Sequence, residues 1–154
     1  MYKKILVPVD GSKLAECVLP HVESIANGCG VQQVVFLRVV ERLNRFCDLE
    51  GCVTQETMNN IDADNKEAAE KYLSQLIERT RYDGISVKPE AIAGPPGESI
   101  ADYATKNSID LIVIATHGRS GVSRWTWGSV ADRVLRSACV PVLMVRAPGC
   151  APGV

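Results

Sequence analysis

The chain lacks most of the signatures that would identify its chemistry at once. It has no G-x-x-x-x-G-K-[ST] phosphate loop and no G-x-G-x-x-G turn. Its nearest approach to a hydrolase nucleophile elbow, Gly118-Arg119-Ser120-Gly121, is one residue short of G-x-S-x-G. The six cysteines include no Cys-x-x-Cys, and the two histidines, His21 and His117, are far from the one close pair, Cys47 and Cys52, which argues against a metal site. Two tryptophans and two phenylalanines are too scattered to form a base-stacking platform. Seventeen basic against eighteen acidic side chains leave a net charge of -1, so no basic field points to nucleic acid or an anionic membrane as partner. No apolar run approaches the roughly 20 residues that span a bilayer.

What remains is an ordinary globular composition in 154 residues, enough for one domain with a full core. A strand pattern begins at Lys3, where a secretory leader would otherwise run, so a cytoplasmic protein without disulfides is expected. Cys17 and Cys139 sit among apolar neighbours and are expected in the core, whereas Cys47, Cys52 and Cys150 fall in loop or tail.

Strand and helix patterns alternate along the chain. Lys3 to Val9 reads as a first strand with Pro8 near its end, Asp10-Gly11-Ser12 as a turn, and Ser12 as the N-cap of a helix to about Asn27. Pro20 falls inside that helix and is expected to bend it or cost it a hydrogen bond. Gln33 to Val40 is a second strand and Glu41 to Glu56 a long loop. Thr57 to Arg81 is a long helix, Ile85 to Ala93 a third strand, and Gly94 to Ile100 a tight loop into a third helix. Leu111 to Ala115 is a fourth strand, apolar throughout as a strand covered on both faces must be. A helix opens at Ser129, with Val130, Val134 and Leu135 on one side, and Cys139 to Arg146 is a fifth strand. Residues 147–154 read as a flexible tail on a domain of residues 1–146.

The stretch that organises this pattern is Asp110 to Ser137. A buried strand, a loop containing Gly118, Gly121 and Gly128, and a helix N-terminus at Ser129 present backbone N–H groups and the positive end of a helix dipole, which suits a phosphate. Asp132, three residues after Ser129, makes a near capping box. The same pattern also serves a loop whose glycines only turn and whose serine only caps.

Alternating strands and helices imply right-handed βαβ units and a doubly wound, five-stranded parallel sheet, an α/β Rossmann-like single domain. Ligands of such sheets bind outside the carboxyl ends of the strands, where the strand order reverses. With the first and fourth strands as central neighbours, Asp10 and the Gly118 to Ser129 loop share that crevice.

These residues resemble the universal stress protein family. The likeness runs through Lys4-Ile5-Leu6-Val7-Pro8-Val9-Asp10-Gly11-Ser12, Arg38-Val39-Val40, the Gly94 to Ile100 loop, the glycine segment and Pro141 to Arg146. The nucleotide-binding branch of that family carries G-x2-G-x9-G-[ST] after its fourth strand. Ala115 stands at the first glycine of that pattern, and Gly118, Gly128 and Ser129 match the rest.

The resemblance implies an adenine-nucleotide site for ATP or AMP. Asp10 and Val39 would lie around adenine and ribose, with Pro8 and Val9 in the wall. Ile114 and Ala115 would lie beside the sugar or α-phosphate, and Gly118, Gly128, Ser129 and Val130 around the phosphates. Arg119 and Arg124 are candidate counter-charges, His117 a structural residue, and Trp125 and Trp127 a cover or contact surface. Asp10 suits ribose hydroxyls, or phosphate only through Mg2+, with no direct protein metal site. The family likeness also implies a homodimer paired through Val140 to Val145. Two alternatives stand beside a regulatory nucleotide-binding protein: an interaction protein without nucleotide, and a slow ATP hydrolase, for which no positioned lysine or base is in evidence.

Overall fold

The computed structural model describes residues 1–41, 55–80, 82, 84–116 and 129–146. In chain order these form β1 (Lys4–Pro8), a 3-10 turn (Ala15–Val18), α1 (Leu19–Cys29), β2 (Gln33–Val40), α2 (Gln55–Arg79), β3 (Ser86–Ala93), α3 (Pro96–Lys106), β4 (Leu111–Thr116), α4 (Ser129–Ser137) and β5 (Val142–Arg146). The loop from Arg42 to Thr54, the segment from His117 to Gly128 with Arg124, Trp125 and Trp127, the tail 147–154, and Cys47, Cys52 and Cys150 lie outside the described residues.

All pairings are parallel and the strand order is β3-β2-β1-β4-β5. The expected doubly wound α/β sheet is therefore present, with β1 and β4 side by side at its centre. Alternation along the strands sends successive side chains to opposite faces. Ile5, Val7, Val34, Phe36, Leu111, Val113 and Ala115 pack with Val18, Val22, Ala26, Leu73 and Leu76 of the α1 and α2 layer. Leu6, Val35, Leu37, Ile112 and Ile114 pack with Ile100, Ala104, Ala131 and Val134 of the α3 and α4 layer. Unbroken apolar strands follow from this two-sided burial, and every residue of β4 is buried. Among the described residues no helix is long and apolar enough to cross a membrane.

The structure corrects four local expectations. The first helix does not run unbroken from Ser12: a 3-10 turn covers Ala15–Val18, and Pro20 occupies the first turn of α1, where its missing N–H has no intrahelical acceptor to lose. The apolar stripe of α4 is Ala131 and Val134 rather than one that includes Leu135, which is 48% exposed. Asp132 is engaged with Arg136, whose Nε donates to it at 2.9 Å, one turn along the helix. Cys139, just past the end of α4, is exposed, and Cys17, within the 3-10 turn, is only half-buried.

Candidate functional site

Strand order reverses between β1 and β4, and the connections leaving their carboxyl ends diverge there. The β1 end is shaped by its own sequence. Pro8 has no N–H, yet the ladder resumes one residue later, where Val9 N donates to Leu37 O at 2.9 Å. Asp10 then turns the chain: its Oδ1 accepts from Ser12 N at 2.8 Å, and Ser12 Oγ accepts from Ala15 N at 3.1 Å to open the 3-10 turn. Gly11 between them has φ +89°, a conformation that disfavours any side chain. Asp10 and Gly11 are exposed, while Pro8 and Val9 are buried beneath them.

The neighbouring strand ends supply walls. Val39 is half-buried and faces the α3 and α4 layer with Ile92. Gly94 N donates to Val40 O at 3.0 Å, which holds the start of the β3 to α3 loop against β2. On β4, Ile114 faces the α3 and α4 layer, whereas Ala115 faces the opposite one, packed in the group that holds Ala15, Val18 and Val145. The buried Thr116 hydroxyl lies 3.5 Å from Val145 O.

At the start of α4, Ser129 is exposed and Val130 half-buried. That start is fixed by α3. Gly97, buried in the first turn of α3, lies directly under Arg133, and a methyl group there would overlap Cβ and Cγ of that arginine. Arg133 in turn donates through Nε to Glu98 Oε1 at 3.0 Å. The two helix starts are thus held together across the carboxyl edge of the sheet.

Of the residues expected to form a site, Pro8, Val9, Asp10, Val39, Ile114, Ala115, Ser129 and Val130 lie at or next to the carboxyl ends of β1, β2 and β4 and the start of α4. Gly118, Arg119 and Gly128 lie outside the described residues. The structure adds residues that sequence reasoning passed over. Arg38 covers Gly11 and lies over the ring of Tyr72, and Gly97 with Arg133 sets α4. A charged residue inside an otherwise apolar strand was the available signal for Arg38. The Tyr72 hydroxyl is held above its ordinary value, first by burial and then by Glu16, whose Oε1 accepts from it at 3.1 Å, with Asp10 adding to the effect. Among the described residues no three of His, Cys, Asp and Glu gather closely enough to hold a metal ion.

Comparison with known proteins gives a consistent picture. Residues 1–146 match the Universal stress protein family. Universal stress protein MJ0531 of Methanocaldococcus jannaschii is 31% identical over 148 residues, covering 96% of this chain and 84% of that protein. Universal stress protein MJ0577 of the same organism is 28% identical over 156 residues, covering 95% of this chain and 96% of the relative. The solved structure of MJ0577 has a TM-score of 0.73 at 29% identity and covers 97% of this chain and 99% of its own. A universal stress protein family structure from Arabidopsis thaliana, solved with AMP bound, shares the fold with a TM-score of 0.65 at 16% identity, covering 96% of this chain and 93% of that one.

Proposed function

Since the chain belongs to the universal stress protein family, we propose that it is a cytoplasmic regulatory protein that binds an adenine nucleotide, ATP or AMP, in the crevice between the carboxyl ends of β1 and β4. The observation that carries this reading is the convergence at the strand-order reversal of an exposed Asp10 and the Ser129 start of α4. In this reading the Asp10 carboxylate accepts hydrogen bonds from ribose hydroxyls, and the half-buried Val39 covers the base. Ser129 and the first N–H groups of α4 meet the phosphates. Gly118, Arg119 and Gly128 complete the phosphate loop, and Mg2+ enters only on the nucleotide's own phosphates.

The methyl of Ala115 fits this reading. It is directed into the α1 layer with Ala15 and Val18, the face opposite α4, so it does not project from the sheet on the α4 side. The AMP in the Arabidopsis thaliana structure supports the nucleotide class.

The test is a calorimetric titration of nucleotide-stripped protein with ATP and AMP, with and without Mg2+. Saturable binding at a single site per chain is expected, and Gly128→Val should abolish it. A flat titration at millimolar ligand would transfer the protein to a nucleotide-free interaction role. Phosphate release from bound ATP should stay near background, because no cation is fixed around a γ-phosphate by the described residues; steady turnover would favour the slow hydrolase.

The two sheet edges support a homodimer through Val140 to Val145. The β3 edge is broken by Pro89 and carries the Lys88 and Glu90 ion pair. The β5 edge has no proline or acidic residue between Val142 and Val145, and Leu143 on it is 38% exposed. Leu143→Asp should convert a dimer to monomer in sedimentation, and a dimer that survives it would place the interface elsewhere.

A further inference from the structure

Arg38 is the charged residue of β2, two positions beyond Phe36 and therefore on the α1 and α2 face. A guanidinium at the end of an apolar layer needs partners, and it has two. Its Cζ lies 5.3 Å from the ring centroid of Tyr72 on α2. Its second neighbour is Gly11: a Cβ there would stand 3.3 Å from Cζ and from both terminal nitrogens, so the guanidinium covers the glycine. Tyr72 is itself anchored, donating to Glu16 Oε1 at 3.1 Å, and Arg79 Nη2 meets the same oxygen at 3.2 Å. Glu16 belongs to the 3-10 turn that ends the Asp10 to Leu14 loop. The loop is thereby held to α2 at two points, through Arg38 over Gly11 and through Glu16.

We propose that Arg38 is a positioning residue for the nucleotide loop: its guanidinium, in contact with both Gly11 and Tyr72, sets the turn that aims Asp10. This rests on the nucleotide-binding reading for its ligand, but not for its geometry. Gly11 serves this contact twice, since its φ of +89° turns the chain and its missing side chain admits the guanidinium. The charges that act on Tyr72, the ring beneath Arg38, are Glu16 of the 3-10 turn, Asp10 of the loop and Arg79 of α2.

The experiment uses Arg38→Met, with Arg38→Lys as the milder change should the first fail to fold. Amide hydrogen exchange of the nucleotide-free protein should show the Ser12 and Ala15 amides exchanging about tenfold faster, with β1 and β2 amides unchanged, as the loss of one cation–π contact predicts. AMP or ATP affinity should fall about tenfold in the natural background and not fall further in an Asp10→Asn background, because a residue that acts through Asp10 shows full coupling to it. Unchanged exchange at Ser12 and Ala15 would overturn the proposal, and so would additive losses in the double variant. A natural protein that binds no nucleotide would refute the nucleotide reading alone, and the exchange result would still decide the role of Arg38.

Discussion

Two aspartates at opposite ends of the same sheet show how its ends divide their work. Asp110, at the amino end, reaches across the chain: its Oδ2 accepts from Lys3 N at 2.9 Å and Lys4 N at 2.8 Å, while its own N–H donates to Lys4 O at 2.9 Å. Lys4 Nζ closes the same corner on Asn107 O at 2.9 Å. Asp10, at the carboxyl end, accepts from Ser12 N two residues away and remains exposed. The amino end thus satisfies its polar groups with distant backbone and gains rigidity, whereas the described end of β1 forms a local turn with Asp10 exposed. Stability and binding should accordingly separate when the two ends are altered one at a time.

The largest effect on stability is expected at the amino end. Asp110→Ala removes an acceptor shared by two backbone donors and should cost about 2 kcal/mol of unfolding free energy, with nucleotide affinity unchanged. The loss should depend on pH. The N–H groups of Lys3 and Lys4 hold the Asp110 carboxyl below its ordinary value, so the unfolded chain takes up this proton first as pH falls. The contribution is complete above the unfolded value of about 3.9 and disappears as pH falls through the lower folded value. Urea midpoints of the two proteins should differ at pH 7 and converge in strong acid. A gap of the same size in strong acid would show that the charge on Asp110 has no part in it, and a change in affinity would break the division between ends.

A smaller loss of stability, joined to a loss of binding, is expected where α3 meets α4. Gly97→Ala forces a methyl against Arg133 and should cost about 1 kcal/mol as the arginine stem shifts. Because Arg133 is one turn from Ser129, the start of α4 moves with it, and affinity should weaken several-fold, seen by denaturation and calorimetry on the same sample. Lost stability with full affinity would mean that the start of α4 takes no part in binding.

The fold was legible because two-sided burial writes itself plainly into sequence. Val34 to Leu37 and Leu111 to Ala115 are apolar without interruption, and the structure buries all of them. Alternation of such runs with helical stretches left a parallel sheet as the natural solution, and the order β3-β2-β1-β4-β5 brought Asp10 and Ser129 to one edge as the crevice argument required. The packing around that edge was less legible, since Arg38, Tyr72 and Gly97 owe their roles to neighbours 27 to 36 positions away. Gly11 meets Arg38, Arg38 meets Tyr72, and Gly97 meets Arg133. Local periodicity carries no record of such pairs. It also misplaced the boundary of α1, where a single stretch of helical pattern conceals two kinds of helix.

That boundary gives the smallest expected effect. The sequence pattern runs from Ala15 to Ala26 without a break, and a proline in its middle would cost about 3 kcal/mol. In the structure the tighter 3-10 turn ends at Val18, α1 begins at Leu19, and Pro20 stands in its first turn. Donors at that position have no partner inside the helix, and the fixed φ of proline already suits it. Pro20→Ala should therefore change stability by no more than about 0.5 kcal/mol, the small cost or gain arising mainly in the unfolded chain. A gain near 3 kcal/mol on thermal unfolding would place Pro20 inside a continuous helix and remove the 3-10 turn. With it would go the fixed position of Glu16, on which the link from the Asp10 loop to α2 depends. Affinity for nucleotide should be untouched, because the proline lies beyond Val18 and Val22 packs unchanged beneath it, so a change here would show that the crevice senses α1 as well as the loop before it.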